Sequence, residues 1–193
     1  MAVRPRFTLT VATSRDAFIA RATDDSPASW VSAEEQALFF ADVEAADWAI
    51  MGRHTHLAAD RPDRRRIIFS ASAAPGWHRP KQLWLNPEGM APADLAEKVS
   101  QVRTLGKGLI LGGTRVHDWF LAARAIDRVH LTIEPISFGS GLPIFSDQES
   151  RDPKAVFSAH GFAKIEERPL NDSGTLYSVW QPAAPAGLRS GGD

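Results

Sequence analysis

The chain has 193 residues, 44% of them hydrophobic and 23% charged, which is the make-up of a globular protein able to bury one core. Its 22 Lys and Arg against 23 Asp and Glu leave a net charge of -1, so no global field attracts nucleic acid or an anionic membrane, and any bound anion must be held by local geometry. The absence of cysteine excludes disulfides, thiolate metal sites and thiol nucleophiles.

Met1 to Arg6 carries two arginines and leads into a strand pattern rather than an apolar signal segment, and no stretch approaches the ~20 apolar residues that span a bilayer. The expectation is a cytoplasmic protein without membrane or nucleic-acid partners. Phe7, Leu9 and Val11 alternate with Thr8, Thr10 and Ala12, the pattern of a strand. A polar, irregular stretch runs from Ser14 to Ser29. Ser32 stands three positions before Glu35, a capping box opening an amphipathic helix that contains Leu38, Phe39, Val43 and Ala46. Trp48 to Met51 reads as a buried strand ended by Gly52, and Arg66 to Phe69 and Leu83 to Leu85 as two more.

Pro92 opens a second helix with Leu95, Val99 and Val102 on one face, stopping near Gly106. Leu109 to Leu111, then Gly112-Gly113, then Val116, Trp119, Phe120 and Ala123 read as strand, glycine turn and helix. Val129, Leu131 and Ile133 mark a further strand. Val156 to Ile165 and Thr175 to Gln181 read as two strands joined by the turn Asn171 to Gly174, with no helix between them. The pattern predicts a single α/β domain over residues 1–181, a mixed and mainly parallel sheet flanked by helices and finished by a C-terminal antiparallel hairpin. Residues 182–193, rich in Pro, Ala, Gly and Ser, read as a flexible tail.

Two apolar strands end in glycine followed by groups able to bind an anion. Met51-Gly52-Arg53-His54-Thr55 offers a bare backbone, a guanidinium and a hydroxyl; Leu111-Gly112-Gly113-Thr114-Arg115-Val116 offers amides at a helix N-terminus. Ligands in open α/β sheets gather at the carboxyl ends of strands, where both turns fall. His54 and His56 form a His-x-His without a carboxylate cluster nearby, so no metal is expected. Arg61, Arg64, Arg65 and Arg66, interleaved with Asp60 and Asp63, read as a solvated turn, and Gly139-Ser140-Gly141 precedes Pro143 rather than a helix and reads as a plain turn. His117 and His130 read as structural or solvent-facing, and Trp48, Trp84 and Trp119 as buried.

The segment from Trp48 to Thr55, continuing through Arg65 to Ser70, resembles the corresponding strand, turn and strand of dihydrofolate reductases, as does Leu109 to Val116 with Phe120-Leu121 and Leu131-Thr132. Thr8 to Asp16 and Pro135 to Phe145 look like the reductase domain of the bifunctional riboflavin-biosynthesis deaminase/reductase. The resemblance spans residues 6–181. It implies the dihydrofolate-reductase-like fold and an NADPH-dependent reductase acting on a small pyrimidine or pteridine. The closest such activity is that of 5-amino-6-(5-phosphoribosylamino)uracil reductase. Dihydrofolate reductase activity, or a nucleotide-binding protein that kept the fold without catalysis, are the alternatives. The riboflavin-type relatives often pair, which implies a homodimer.

By the same resemblance Ala12, Gly52, Arg53, His54, Thr55, Ser70, Gly112, Gly113, Thr114, Arg115 and Val116 would contact the cofactor, with Arg53 and Ser70 on the 2'-phosphate and Arg115 and the Arg64 to Arg66 run as helpers. Arg53 is alternatively a loop arginine paired with Asp60 or Asp63. Asp16, Trp30 and Asp60 are candidates for substrate contact, and Asp16 and Glu35 for catalysis. Asp16 is equally readable as a turn aspartate bonded to backbone, and Glu35 as the capping partner of Ser32. Three positions depart from the riboflavin pattern: Thr10 stands for its first-strand lysine, Leu111 for the glutamate before the glycine pair, and Ala17, after Asp16, for the glycine of its Asp-Gly.

Overall fold

A computed structural model of the chain describes residues 4–184. Strand β1 (Arg6–Thr13) buries Phe7, Leu9 and Val11 on one face and leaves Thr8, Thr10 and Ala12 half-buried on the other, as its alternation predicts. The stretch read as irregular contains a short strand, β2 (Phe18–Ala20), with Phe18 and Ala20 buried. Helix α1 (Ala33–Ala45), strand β3 (Trp48–Gly52), helix α2 (Arg53–Ala58) and strand β4 (Arg66–Phe69) come next. The bare turn that the sequence suggests after Gly52 is therefore a short helix.

Further along are β5 (Gly76–Arg79), β6 (Gln82–Leu85), α3 (Leu95–Val99), β7 (Lys107–Gly112), α4 (Thr114–Ala122) and β8 (Arg128–Ile133). The second helix is shorter than expected: it ends at Val99, and Val102, expected on its buried face, is exposed. Strand β9 (Leu142–Pro143) pairs antiparallel with β2, helix α5 (Pro153–Ala159) precedes β10 (Phe162–Pro169), and β11 (Leu176–Pro182) closes the described chain. The strand expected from Val156 to Ile165 is thus helix in its first half. Asp152 accepts the Lys154 amide at 3.0 Å, Pro153 occupies the first helical turn, and Val156 and Phe157 are buried, so cap and core together favour the helix. Pro182 belongs to β11 rather than to a tail, and residues 185–193 lie outside the described residues.

Nine strands form one sheet in the order β10-β11-β8-β1-β7-β3-β4-β6-β5. The six strands from β8 to β6 run parallel, while β5, β11 and β10 are antiparallel to their neighbours, the last two forming the expected hairpin. Strands β3, β4 and β6 are buried at nearly every residue, as parallel strands covered on both sides must be. The two faces are unequal. The large core gathers Leu9, Ile50, Ile67 and Ile110 with Leu95 and Val99 of α3, Phe120 of α4 and Phe157 of α5. A second cluster holds only Ala49, Met51, Ile68 and Trp84, with Leu111 against it. Helix α1 buries a single residue, Glu35, and so leaves the sheet uncovered beside this small cluster.

Candidate active site

The uncovered part of the sheet is a cleft of about 840 Å³. Ala49, Met51 and Leu111 form its floor, Glu35, Phe39 and Val43 of α1 one wall, and Thr55 and Ala58 of α2 the other. Between β3 and β7 the register passes from Ile50 opposite Ile110 to Met51 opposite Gly112, so Leu111 is the extra residue of a bulge. One end of the cleft opens on Thr55 and Gly113; the other runs to Arg61, Arg64, Arg65 and Arg66.

The two glycine turns meet at the first end. A Cβ on Gly52 would lie 3.6 Å from Val116 Cγ2, 3.9 Å from Gly112 O and 4.0 Å from Gly113 N. No side chain caps the N-terminus of the nine-residue helix α4, where the Val116 amide donates to Gly113 O at 2.9 Å, and a Cβ on Gly113 would meet nothing within 4 Å. The Thr114 hydroxyl is committed elsewhere, donating to Pro143 O at 2.6 Å, and Arg115 is exposed. Arg53 donates to Ser72 Oγ at 2.8 Å, while Ser70 Oγ accepts the Ala73 amide at 3.1 Å. Arg53 is paired with neither Asp60 nor Asp63, contrary to the alternative reading: Asp60 is held by Arg79 through two bonds of 2.6 and 2.8 Å. A guanidinium beside two serine hydroxyls, next to glycine backbone and an uncapped helix start, fits a dinucleotide with an additional phosphate. Ser72 is the partner that sequence reasoning missed.

Glu35 lines the cleft and is 5% exposed. Only half of the expected capping box exists. Ser32 Oγ accepts the Glu35 amide at 3.3 Å, but the Ser32 amide donates to Glu134 Oε1 at 2.7 Å instead of to Glu35. The Glu35 carboxyl is left without a hydrogen bond among the described residues. Burial, and then the charges of Glu134 and Asp42, push its pKa up from 4.5 to about 7. It is therefore a carboxyl that carries a proton near neutral pH while facing the cleft. Glu34, its neighbour, is exposed and accepts from Asn171 Nδ2.

Several expected residues take other work. Asp16 accepts the amides of Phe138 at 3.0 Å and Gly139 at 2.6 Å, fastening the loop after β8; burial opposes ionisation, yet these bonds with Ser14 hold its carboxyl below the ordinary value. These bonds are those of the turn aspartate that the alternative reading of Asp16 describes. Trp30 packs edge-on against Phe138 at 5.2 Å and is not part of the cleft wall. Asp60, tied to Arg79, and Ala12, in β1 opposite Thr132, also stand outside it. His54 is exposed while His56 is buried, and no metal-binding group of His, Asp and Glu occurs among the described residues. Thr10 donates to Asp42 Oδ2 at 2.7 Å, and His130 Nδ1 shares that oxygen at 2.8 Å.

The arginine run is a solvated turn only in part: Arg61 is exposed, Arg64 and Arg65 are half-buried, and Arg66 is buried. Arg66 opens β4, so it lies at the opposite end of that strand from Ser70, and it is buried while lining the cleft. Its Nη1 donates to His56 Nδ1 at 3.0 Å, and it forms no ion pair among the described residues. Burial and the Arg66 charge keep His56 below its ordinary pKa, hence neutral and able to accept. Arg64 pairs with Glu44 of α1 across this end of the cleft. The signal was present, since Arg66 directly precedes the buried Ile67-Ile68-Phe69, but the run as a whole resembles any charged turn.

The sequence matches the profile of the RibD C-terminal domain family over residues 5–167. No curated protein is close enough in sequence to match. A protein assigned to riboflavin biosynthesis in Shewanella sp. PV-4 is similar in structure at TM-score 0.63 and 21% identity, over 91% of this chain and 98% of that one. Dihydrofolate reductase from Enterococcus faecalis, solved with NADP(H) and RAB-propyl, is similar at TM-score 0.62 and 16% identity, over 91% and 95%. The diaminohydroxyphosphoribosylaminopyrimidine deaminase/5-amino-6-(5-phosphoribosylamino)uracil reductase of Thermotoga maritima is similar at TM-score 0.67 and 16% identity, over 93% of this chain and 57% of that longer one. No helix among the described residues is long and apolar enough to cross a membrane. With the fold of dihydrofolate reductase and a family match over most of its length, the chain belongs to the RibD C-terminal domain family.

Proposed function

We propose that this chain is an NADPH-dependent reductase of a small nitrogen heterocycle bearing an anionic group, nearest in activity to the uracil reductase half of the Thermotoga protein. The observation that carries the reading is the shared cleft: a proton-bearing carboxyl, Glu35, faces the same space that opens onto Thr55, Gly113 and the uncapped start of α4. When bound, NADPH supplies the hydride. Arg53, Ser70 and Ser72 hold the phosphate that distinguishes it from NADH, and the amides of Gly113 and the first turn of α4 hold the pyrophosphate. Glu35 holds a proton for the ring nitrogen of the substrate, and the apolar floor of Ala49, Met51 and Leu111 excludes water from the reduced bond. Arg66, buried without a carboxylate partner at the far end, holds the anionic group of the substrate. Dihydrofolate reductase activity is the second reading, favoured by Thr10 and Leu111 standing where the riboflavin pattern has lysine and glutamate.

Oxidation of NADPH in the presence of phosphoribosylaminopyrimidines and of dihydrofolate separates the two readings, and dinucleotide binding without turnover of either overturns both. Arg53→Ala is expected to weaken NADPH binding by about 10- to 100-fold, the worth of a charge-assisted contact of about 1.5–3 kcal/mol, and to leave NADH binding unchanged. Equal loss for the two dinucleotides in a binding titration contradicts the placement of Arg53 on the extra phosphate.

A further inference from the structure

Ser32 caps α1, yet the reciprocal bond expected from Glu35 is taken by a residue 102 positions away. Glu134, just after β8 and 3% exposed, accepts the Ser32 amide at 2.7 Å and the Ser32 hydroxyl at 2.8 Å through Oε1. Its Oε2 accepts the Thr175 hydroxyl at 2.8 Å. Asn171 in turn donates to Thr175 Oγ1 at 3.1 Å and to Glu34 at 3.1 Å, so the turn before β11, the end of β8 and the first turn of α1 are fastened at one point. A lone cap would require only Glu35 in this position. We infer that Glu134 is the positioning residue of this site: by displacing Glu35 from the cap it leaves the Glu35 carboxyl free and turned into the cleft.

The inference rests on the reading of Glu35 as the proton donor and adds what sets its state. The charges around Glu35 come from two sides, Asp42 on α1 itself and Glu134 beyond β8, and both oppose its ionisation. Glu34 is exposed and turned to Asn171; His130 of β8 binds Asp42; Arg66 lines the same cleft with His56 as its partner. Glutamine at position 134 keeps an oxygen for both Ser32 donors, gives up acceptance of the Thr175 hydroxyl and removes the charge, so it tests the charge of Glu134 with the Ser32 bonds retained.

The test is a ¹³C NMR titration of the Glu35 carboxyl resonance, assigned by its disappearance in Glu35→Gln. Glu134→Gln is expected to lower its midpoint by about half a pH unit or more, a threefold or larger change in proton affinity. Thr175→Val, which withdraws one donor from a carboxylate that keeps its charge, leaves that charge less compensated and should move the midpoint the other way, upward; it covers the case in which Glu134→Gln does not fold. A wild-type midpoint in every folded variant overturns the inference. A lowered midpoint in a protein that reduces no heterocycle supports the placement of Glu35 and removes the reductase reading. Turnover lost in Glu35→Gln with the midpoint unmoved in Glu134→Gln does the reverse.

Discussion

Glu35→Gln is expected to lower kcat by about 10²- to 10⁴-fold, the range of a general acid, while NADPH binding stays at its wild-type value. Glutamine fills the same volume and keeps the helix start, because the Ser32 hydroxyl accepts the Glu35 amide and not its side chain. What is lost is the transferable proton. The pH dependence has a definite sign. With a pKa raised to about 7, the wild-type carboxyl is protonated below neutrality and loses its proton above, so kcat falls as pH rises through about 7. The variant shows a low, flat profile. A wild-type rate in Glu35→Gln, or a wild-type profile without an alkaline fall near neutrality, removes Glu35 from the chemistry.

The same substitution is expected to act on stability in the opposite direction. Folding raises the proton affinity of Glu35, so the stability its protonated form contributes is fully present below pH about 4.5 and is lost as pH rises through about 7. A displacement from 4.5 to about 7 corresponds to about 3 kcal/mol of strain carried at alkaline pH. Glutamine carries none of it. Denaturant unfolding should therefore show Glu35→Gln more stable than wild type by up to about 3 kcal/mol near pH 9 and equal to it near pH 4. A residue that costs stability in the folded chain and has no structural bond is explained by function, and the paired measurement of rate and stability tests that together.

The parts of this arrangement that the sequence makes legible are the local ones. Strand β1 announces itself by alternation, β3 and β7 by unbroken apolar runs, and both glycine turns by the cationic and hydroxyl residues directly after them. Strand β5 does not, because Gly76–Arg79 has one large apolar residue, Trp77, and that residue is itself exposed. Helix α5 is hidden for another reason: Val156 and Phe157 suit either element, and the deciding signal, Asp152-Pro153, lies just before the apolar run. Around the site, the misread residues are those whose partner is far away in sequence. Asp16 answers amides 122 and 123 positions on, and the cap of Ser32 is shared with Glu134, 102 positions on. Local spacing ranks Glu35 as a cap because the competitor for that cap is brought in only by folding. Arg66 differs from Arg61 only in opening a strand, and that sets Arg61 at the exposed rim and Arg66 inside.

Gly112→Ala is expected to cost about 2–4 kcal/mol of stability and to weaken NADPH and NADH alike, whereas Gly113→Ala, one residue on, should weaken both dinucleotides at little cost in stability. Gly112 has φ of +101°, a conformation that costs a residue with a Cβ about 1–3 kcal/mol by itself. The new methyl would also stand 3.1 Å from His117 Nε2. That ring cannot yield. His117 is fully buried, its Nδ1 is fixed to Ile144 O at 2.8 Å, and burial holds its pKa down to about 4, so it does not charge and move away at neutral pH. The displacement passes instead to Gly112 O and Gly113 N, which lie beside the Cα face of Gly52, about 4 Å from where a Cβ would stand there, and so disturbs the two turns at once. Gly113, by contrast, has φ of -77° and open space where a Cβ would go, so alanine there fits the backbone and intrudes only on a ligand. Unfolding curves and dinucleotide titrations of the two variants therefore separate the glycine that shapes the turn from the glycine that leaves room for the phosphates. Equal stability loss in both, or unaltered dinucleotide binding in Gly113→Ala, would place the pyrophosphate elsewhere than at the start of α4.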